Sequence, residues 1–194
     1  TSQEQKLAVI IVCLLTVTWI LYVVSNAVPS WLVENYLREN ENIFFLVDFR
    51  GKATISSSIS TTRIDHTYGL WQYCISDVCV TVPNTCYSAD GGLCSKLFVT
   101  RAFITLACIV VPFAIGCFIF ILITKLFRSS IILLGQIFTF ASFIFGIIAT
   151  GVGISYFSGD ILFFMGPAAI VCIVADILNL IAGIMTCFIH INSN

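Results

Sequence analysis

Charge is scarce in this sequence: ten acidic and nine basic side chains among 194 residues leave a formal net of −1. No run of lysine or arginine gathers into a patch, which excludes the electrostatic footprint of a nucleic-acid binder or of another polyanion's partner. Histidine is rarer still, with His66 and His190 the two in the chain, and no His/Cys spacing suits a metal. Neither a phosphate loop nor a nucleophile elbow occurs. The sequence therefore predicts no enzyme: no catalytic residues, no cofactor and no metal. Asn-x-Ser/Thr sequons are absent too, Asn84-Thr85-Cys86 being only the cysteine variant. With four prolines in all, little interrupts the long apolar runs.

Those runs dominate what is present. The chain is 59% hydrophobic and 10% charged, with a mean hydropathy of +1.04, more apolar surface than one soluble core of this size hides. A lipid bilayer is the expected solvent. Crossing its ~30 Å hydrocarbon layer takes roughly 20 helical residues, and four stretches are long enough: 7–28, 102–124, 131–154 and 161–189. The whole chain, 1–194, reads as one four-span domain. Ser25 and Ala27 form a small-x-small site like a signal-peptide end, but the first run outlasts a typical h-region and only Lys6 precedes it as a base, so it is read as a span.

Short loops set orientation through their lysines and arginines. Lys6 precedes the first span, Lys125 and Arg128 lie in the 125–130 loop, and the 155–160 loop has no basic residue. Both termini are thus expected in the cytosol. Residues 29–101 form a first extracellular loop and residues 155–160 a second, in a multi-pass protein of the plasma membrane.

Four of the nine cysteines, Cys74, Cys79, Cys86 and Cys94, crowd into the long connector, where an oxidising compartment favours disulfides. Four cysteines allow three pairings; Cys74–Cys79 with Cys86–Cys94 is favoured because each closes a short local loop. Cys13, Cys108, Cys117 and Cys172 read as small apolar packing residues, and Cys187 is a palmitoylation candidate. Partial alternation and then β-branched composition over 43–59 predict strand, as do 69–74 and 79–83, joined by a hairpin-length turn over 75–78. Asp65-His66 reads as solvated loop.

Polar residues in apolar surroundings are the candidates for special roles. Asp176 stands in the middle of the fourth span, where a carboxylate facing lipid costs several kcal/mol. It is expected to face the bundle, either as an ion or proton site or as a protonated or hydrogen-bonded Asp joined to Asn179, Gln136 or a span threonine. Arg101, at the membrane edge, is expected to tie the connector to the helix top. Trp31 and Trp71 suit the seam between connector and bundle as interfacial anchors, whereas Trp19 is expected to pack mid-span. Pro112 and Pro167 read as kinks. Gly146, Ala149, Gly151 and Gly153, with Ala175, Ala182 and Gly183, allow close helix approach.

Several of these residues fall into a known pattern. Trp31 lies just past the first run, Gly69-Leu70-Trp71-Gln72-Tyr73-Cys74 precedes Cys79 by a short gap, and Val99-Thr100-Arg101-Ala102-Phe103 opens the second run. This pattern resembles the four-span superfamily of claudins, peripheral myelin protein, epithelial membrane proteins and lens intrinsic membrane protein. The resemblance implies a left-handed, all-α four-helix membrane bundle carrying an extracellular antiparallel sheet stapled by disulfide, four strands from the first loop and one from the second. The tight cysteine spacing and the Thr100–Phe103 entry look most like the epithelial and lens branch. Three features depart from it: the stretch 31–69 is long for a claudin, Cys86 and Cys94 are extra, and 155–160 is short for a loop supplying a strand. Val80 follows the second cysteine, where pore-forming claudins place a residue that helps set charge selectivity, so no charge-selective pore is carried over.

Function is then expected to be structural: adhesion, junction or array assembly through the extracellular sheet, as a homo-oligomer or with a related tetraspan protein. Phe44, Phe45 and the turn at Asp77 are the candidate partner contacts, being apolar groups rimmed by charge. The alternative is an auxiliary subunit of an ion channel or receptor, as the calcium-channel gamma relatives are.

Overall fold

The computed structural model describes residues 2–28, 30–35, 45–47, 53–55, 65–75, 78–81, 93–124, 129–157 and 163–193. Four helices carry most of them: α1 (Ser2–Ala27), α2 (Leu93–Thr124), α3 (Ser129–Phe157) and α4 (Pro167–Ser193). Seven short strands fill the connections, β1 (Leu32–Asn35), β2 (Phe45–Val47), β3 (Ala53–Ile55), β4 (Asp65–Tyr68), β5 (Gln72–Ile75), β6 (Val78–Thr81) and β7 (Phe163–Met165).

Each helix contains a segment long and apolar enough to cross a membrane: Gln5–Ala27, Ser95–Thr124, Ser129–Ser155 and Pro167–Ile189. Helix is the form such segments take in lipid, because every backbone N–H and C=O is then satisfied within the segment. The helices form a ring, α1 packing on α2 and α4, and α3 on the same two neighbours. Small and branched residues line its inside, among them Ala8, Ile11, Leu15, Ile104, Ala107, Val111, Ala114, Ala175 and Ala182. Large apolar side chains such as Ile123, Phe113, Ile144 and Phe188 point outward on the same helices, an inversion that suits lipid.

Two span boundaries differ from the sequence expectation. Helix α2 begins at Leu93, not 102, and at 1.5 Å per residue its 32 residues extend roughly 48 Å, so its first turns stand beyond a ~30 Å hydrocarbon layer. Helix α4 begins at Pro167, not 161. Proline suits the first helical position, where its missing N–H is no loss, and it biases the preceding residue toward extended backbone. Pro167 is therefore a helix start, not a kink. The apolar residues ahead of it form strand β7, so the second connection is longer than the expected 155–160 loop.

Strand β7 completes a five-stranded antiparallel sheet of order β6-β5-β4-β1-β7. It pairs with β1 through Leu32↔Met165, Val33↔Phe164 and Glu34↔Phe163, joining the α3–α4 connection to the α1–α2 connection. Asp65-His66, expected as solvated loop, belongs to β4, where Asn35↔Asp65 and Glu34↔His66 pair across to β1. The strand-like 43–59 stretch contains a separate hairpin of β2 and β3.

Trp19 is mid-span, as expected, but not packed inside: the residue is 38% exposed on the outside of α1. Its indole nevertheless has a specific task. Pro112 inside α2 has no N–H to give the carbonyl four residues back, which is that of Cys108, and Trp19 Nε1 donates to that same oxygen at 3.1 Å. An α1 side chain thus supplies the bond that α2 lacks. Trp19→Phe should lower stability by about 1 kcal/mol, the range of hydrogen bonds inside bundles. In a Pro112→Ala background, where residue 112 regains its own N–H, the same change should cost almost nothing; reversible unfolding in detergent, run as a double-mutant cycle, checks this.

Candidate functional site

Two constellations gather the polar side chains of the described residues: a seam where the sheet meets the helix ends, and a cluster inside the bundle. Trp31 centres the seam. Buried to 1% exposure, it donates from Nε1 to the Ser25 carbonyl at 2.7 Å, an oxygen in the last turn of α1 that has no partner within its helix. Its own carbonyl accepts from Gly166 N at 2.8 Å, and Ser30 O accepts from Ala168 N at 3.1 Å, which satisfies donors at the start of α4. The ring lies on Gly153 of α3: a Cβ there would sit 2.9 Å from Trp31 and 3.3 Å from the Thr100 methyl of α2. Trp31 therefore meets the end of α1 and the face of α3 with its ring, and the residue that precedes α4 with its backbone.

The Gly69-Leu70-Trp71 motif acquires a physical meaning at the same seam. Gly69 N donates to Gln72 O at 2.8 Å, so Leu70 and Trp71 form the two-residue tip of the β4–β5 hairpin. Leu70 is buried. Arg101, also buried, donates from Nε to the Leu70 carbonyl, and its guanidinium lies 4.9 Å from the Trp71 ring centroid and 5.3 Å from that of Phe98, within cation–π range. Trp71 Nε1 donates to Asn26 Oδ1 at 2.8 Å. Arg101 and Trp71 thus tie the hairpin tip to α2 and α1. Lys96 Nζ reaches Ser155 O at 3.0 Å, linking the tops of α2 and α3.

On the far side of that hairpin, Cys74 and Cys79 are cross-strand partners and form a disulfide, with Cα atoms 4.0 Å apart. Of the expected Cys86–Cys94 pairing, Cys86 lies outside the described residues, as do the contact candidates Phe44 and Asp77; Cys94, in the first turn of α2, and Phe45, at the start of β2, are described only as backbone.

Asp176 faces the bundle, as its cost in lipid requires. Tyr22 of α1 donates its hydroxyl to Oδ1 at 2.7 Å and Thr150 of α3 donates to Oδ2 at 2.9 Å. Cys172 Sγ lies 3.3 Å from Thr150 Oγ1. Asn179 Nδ2 donates to Ser142 Oγ at 2.8 Å and reaches Tyr22 Oη at 3.5 Å, while Ser142 donates to Thr139 O at 2.8 Å. Three helices are thereby joined. Gly146 makes the cluster possible, because a Cβ there would lie 2.0 Å from Asp176 Oδ1 and 2.4 Å from the Tyr22 hydroxyl.

A span threonine is thus a partner of Asp176, while Asn179 joins it through Tyr22. Gln136 is elsewhere, its Nε2 3.1 Å from Cys187 Sγ, which leaves Cys187 half-buried in a polar contact. Of the four cysteines expected to pack, Cys172 is buried, Cys108 and Cys117 are partly so, and Cys13 is exposed on the outside of α1. A Cβ at Gly183 would meet Phe140 at an ordinary 3.4 Å, whereas one at Gly151 would face open space, so Gly151 plays no part in packing within the bundle. Tyr22, Thr150 and Ser142 were not singled out from sequence; a tyrosine inside a span is the available signal, since a buried phenol needs a partner.

Comparison with protein-family models finds none that matches this chain, and comparison with curated proteins finds no match.

Proposed function

We propose that this is a claudin-like membrane protein, of the epithelial and lens type, whose sheet faces the extracellular side and assembles with copies of itself or with a related tetraspan protein to organise membranes at cell contacts. The observation that supports this best is the seam. A sheet hydrogen-bonded to the ends of α1, α2 and α4 presents its outer edge in a fixed attitude to the membrane, which is what repeated lateral or face-to-face assembly needs. Strand β6 forms that edge, pairing on one side with β5, and its side chains are all exposed, Val78 at 68% and Val80 at 58%. Apolar side chains on a strand edge suit burial against another protein surface.

The left-handed bundle, the plasma-membrane location and the cytosolic termini belong to the same proposal. Substituting Val78→Lys with Val80→Lys, and separately Phe44→Ser with Phe45→Ser, should disperse assemblies in reconstituted membranes while leaving the unfolding midpoint within a few degrees. Particle size and freeze-fracture imaging check this. Assemblies that persist in both variants would remove the outer edge and the 43–49 stretch as contact surfaces and favour the second role, an auxiliary subunit beside a channel or receptor.

A further inference from the structure

The hydrogen bonds around Asp176 leave its charge without a counter-charge. Tyr22 and Thr150 spend their protons on its two oxygens, Ser142 spends its proton on Thr139 O, and the Asn179 amide nitrogen is turned toward Ser142 and Tyr22. Every one of these donors is neutral. Helix α3 has no charged side chain, α4 has none of positive charge but His190 near its end, the base of α1 is Lys6, several turns below Tyr22, and the bases of α2, Lys96 and Arg101, reach Ser155 O and Leu70 O at the seam.

Acceptors are left over on the same two helices, α1 and α4. A carboxylate offers about four lone-pair sites and two are used here. Asn179 Oδ1 and Thr18 Oγ1 are buried and have no hydrogen-bond partner among the described residues, and both residues are 0% exposed. Asn179 Oδ1 sits on the amide that contacts Tyr22. Thr18 lies one turn before Tyr22 on the same face of α1. Long side chains in helices lean back toward the N-terminus, so the Tyr22 hydroxyl comes down toward the level of Thr18. Thr18 shares a face of α1 with Tyr22, and Asn179 a face of α4 with Asp176, so the spare acceptors lie on the two buried faces that carry the cluster.

We propose that this cluster binds one monovalent cation, sodium, with oxygens from Asp176, Tyr22, Asn179 and Thr18. An all-oxygen donor set suits a hard cation. A single carboxylate balances one positive charge, whereas a divalent ion would leave a net charge in the low-dielectric bundle. Bound sodium stabilises the junction of α1 with α4, and through Tyr22 and Thr150 it links both helices to α3.

The test is thermal unfolding of the full chain in lipid nanodiscs, followed by tryptophan fluorescence, with sodium chloride titrated against choline chloride at constant ionic strength. The midpoint should rise with the logarithm of sodium concentration, as for a ligand bound by the folded state alone. Thr18→Val, which removes one oxygen and keeps the shape, should move the titration to about tenfold higher sodium. Asp176→Asn keeps an acceptor for Tyr22 in the same volume and should abolish the sodium response. If that variant does not fold, Thr18→Val and the sodium-23 linewidth of the unsubstituted protein carry the test. Coincident sodium and choline curves for the unsubstituted protein, with no broadening of the sodium-23 signal, would overturn the site.

Discussion

Replacing Gly146 with alanine should destabilise the bundle by on the order of 3–5 kcal/mol, more than the same change at Gly116, Gly135, Gly151, Gly153 or Gly183. The new Cβ would fall 2.0 Å from Asp176 Oδ1 and 2.4 Å from the Tyr22 hydroxyl, far inside contact distance. A flexible side-chain end on a surface would swing away, but these two are hydrogen-bonded to each other at 2.7 Å inside the bundle. Moving either one breaks that bond. Overpacking contributes about 1–3 kcal/mol and a stranded buried polar group a comparable amount. Gly151→Ala is the control, because its Cβ would meet nothing within 4 Å and alanine is the better helix former. It should leave stability unchanged or slightly raised. Denaturant unfolding in mixed micelles, with both variants in parallel, checks the pair.

Trp31→Ala should cost a similar amount, about 3–5 kcal/mol, the usual range for removing a fully buried aromatic ring. The loss has two parts. A ring-sized cavity opens over Gly153 of α3, and the Ser25 carbonyl loses the donor that caps it. Trp31→Phe separates them, since it refills most of the volume without the N–H. It should recover more than half of the loss. Because the backbone beside Trp31 also holds the first residues of α4, the alanine variant should loosen the sheet before it melts the bundle. Amide exchange at Gly166 and Ala168 should therefore accelerate more than exchange in the middle of α2. Uniform acceleration through all four helices would show instead that Trp31 packs without positioning the sheet.

The four spans were legible because run length alone separates a membrane helix from a core helix. Where the sequence misled, two structures share one composition. Phe163–Met165 is apolar and adjoins an apolar helix, so as strand β7 it reads as an extension of the fourth span; Gly166-Pro167 was the punctuation that separates them. Asp65-His66 reads as loop because the pairing of β4 to β1 is decided by distant residues. Trp31, Trp71 and Arg101 stood out from sequence because each is costly or unusual at a membrane edge. Tyr22, Thr150 and Ser142 did not. Span hydroxyls are cheap when they bond back along their own helix, as Thr16, Thr124 and Thr139 do to carbonyls four residues earlier, so composition cannot tell those from the ones aimed at Asp176. Trp19 was misplaced for a related reason: Pro112 is 93 positions away, and nothing local says that its freed carbonyl is where the indole goes.

The central claim is that a sheet fixed to a membrane bundle serves as an assembly surface. Its most direct test is gentle extraction from native membranes, followed by cross-linking and mass spectrometry of what co-purifies. The chain should be recovered essentially alone, as multimers cross-linked through residues 29–96. Stoichiometric recovery with a larger channel or receptor, cross-linked along α3 and α4, would contradict it.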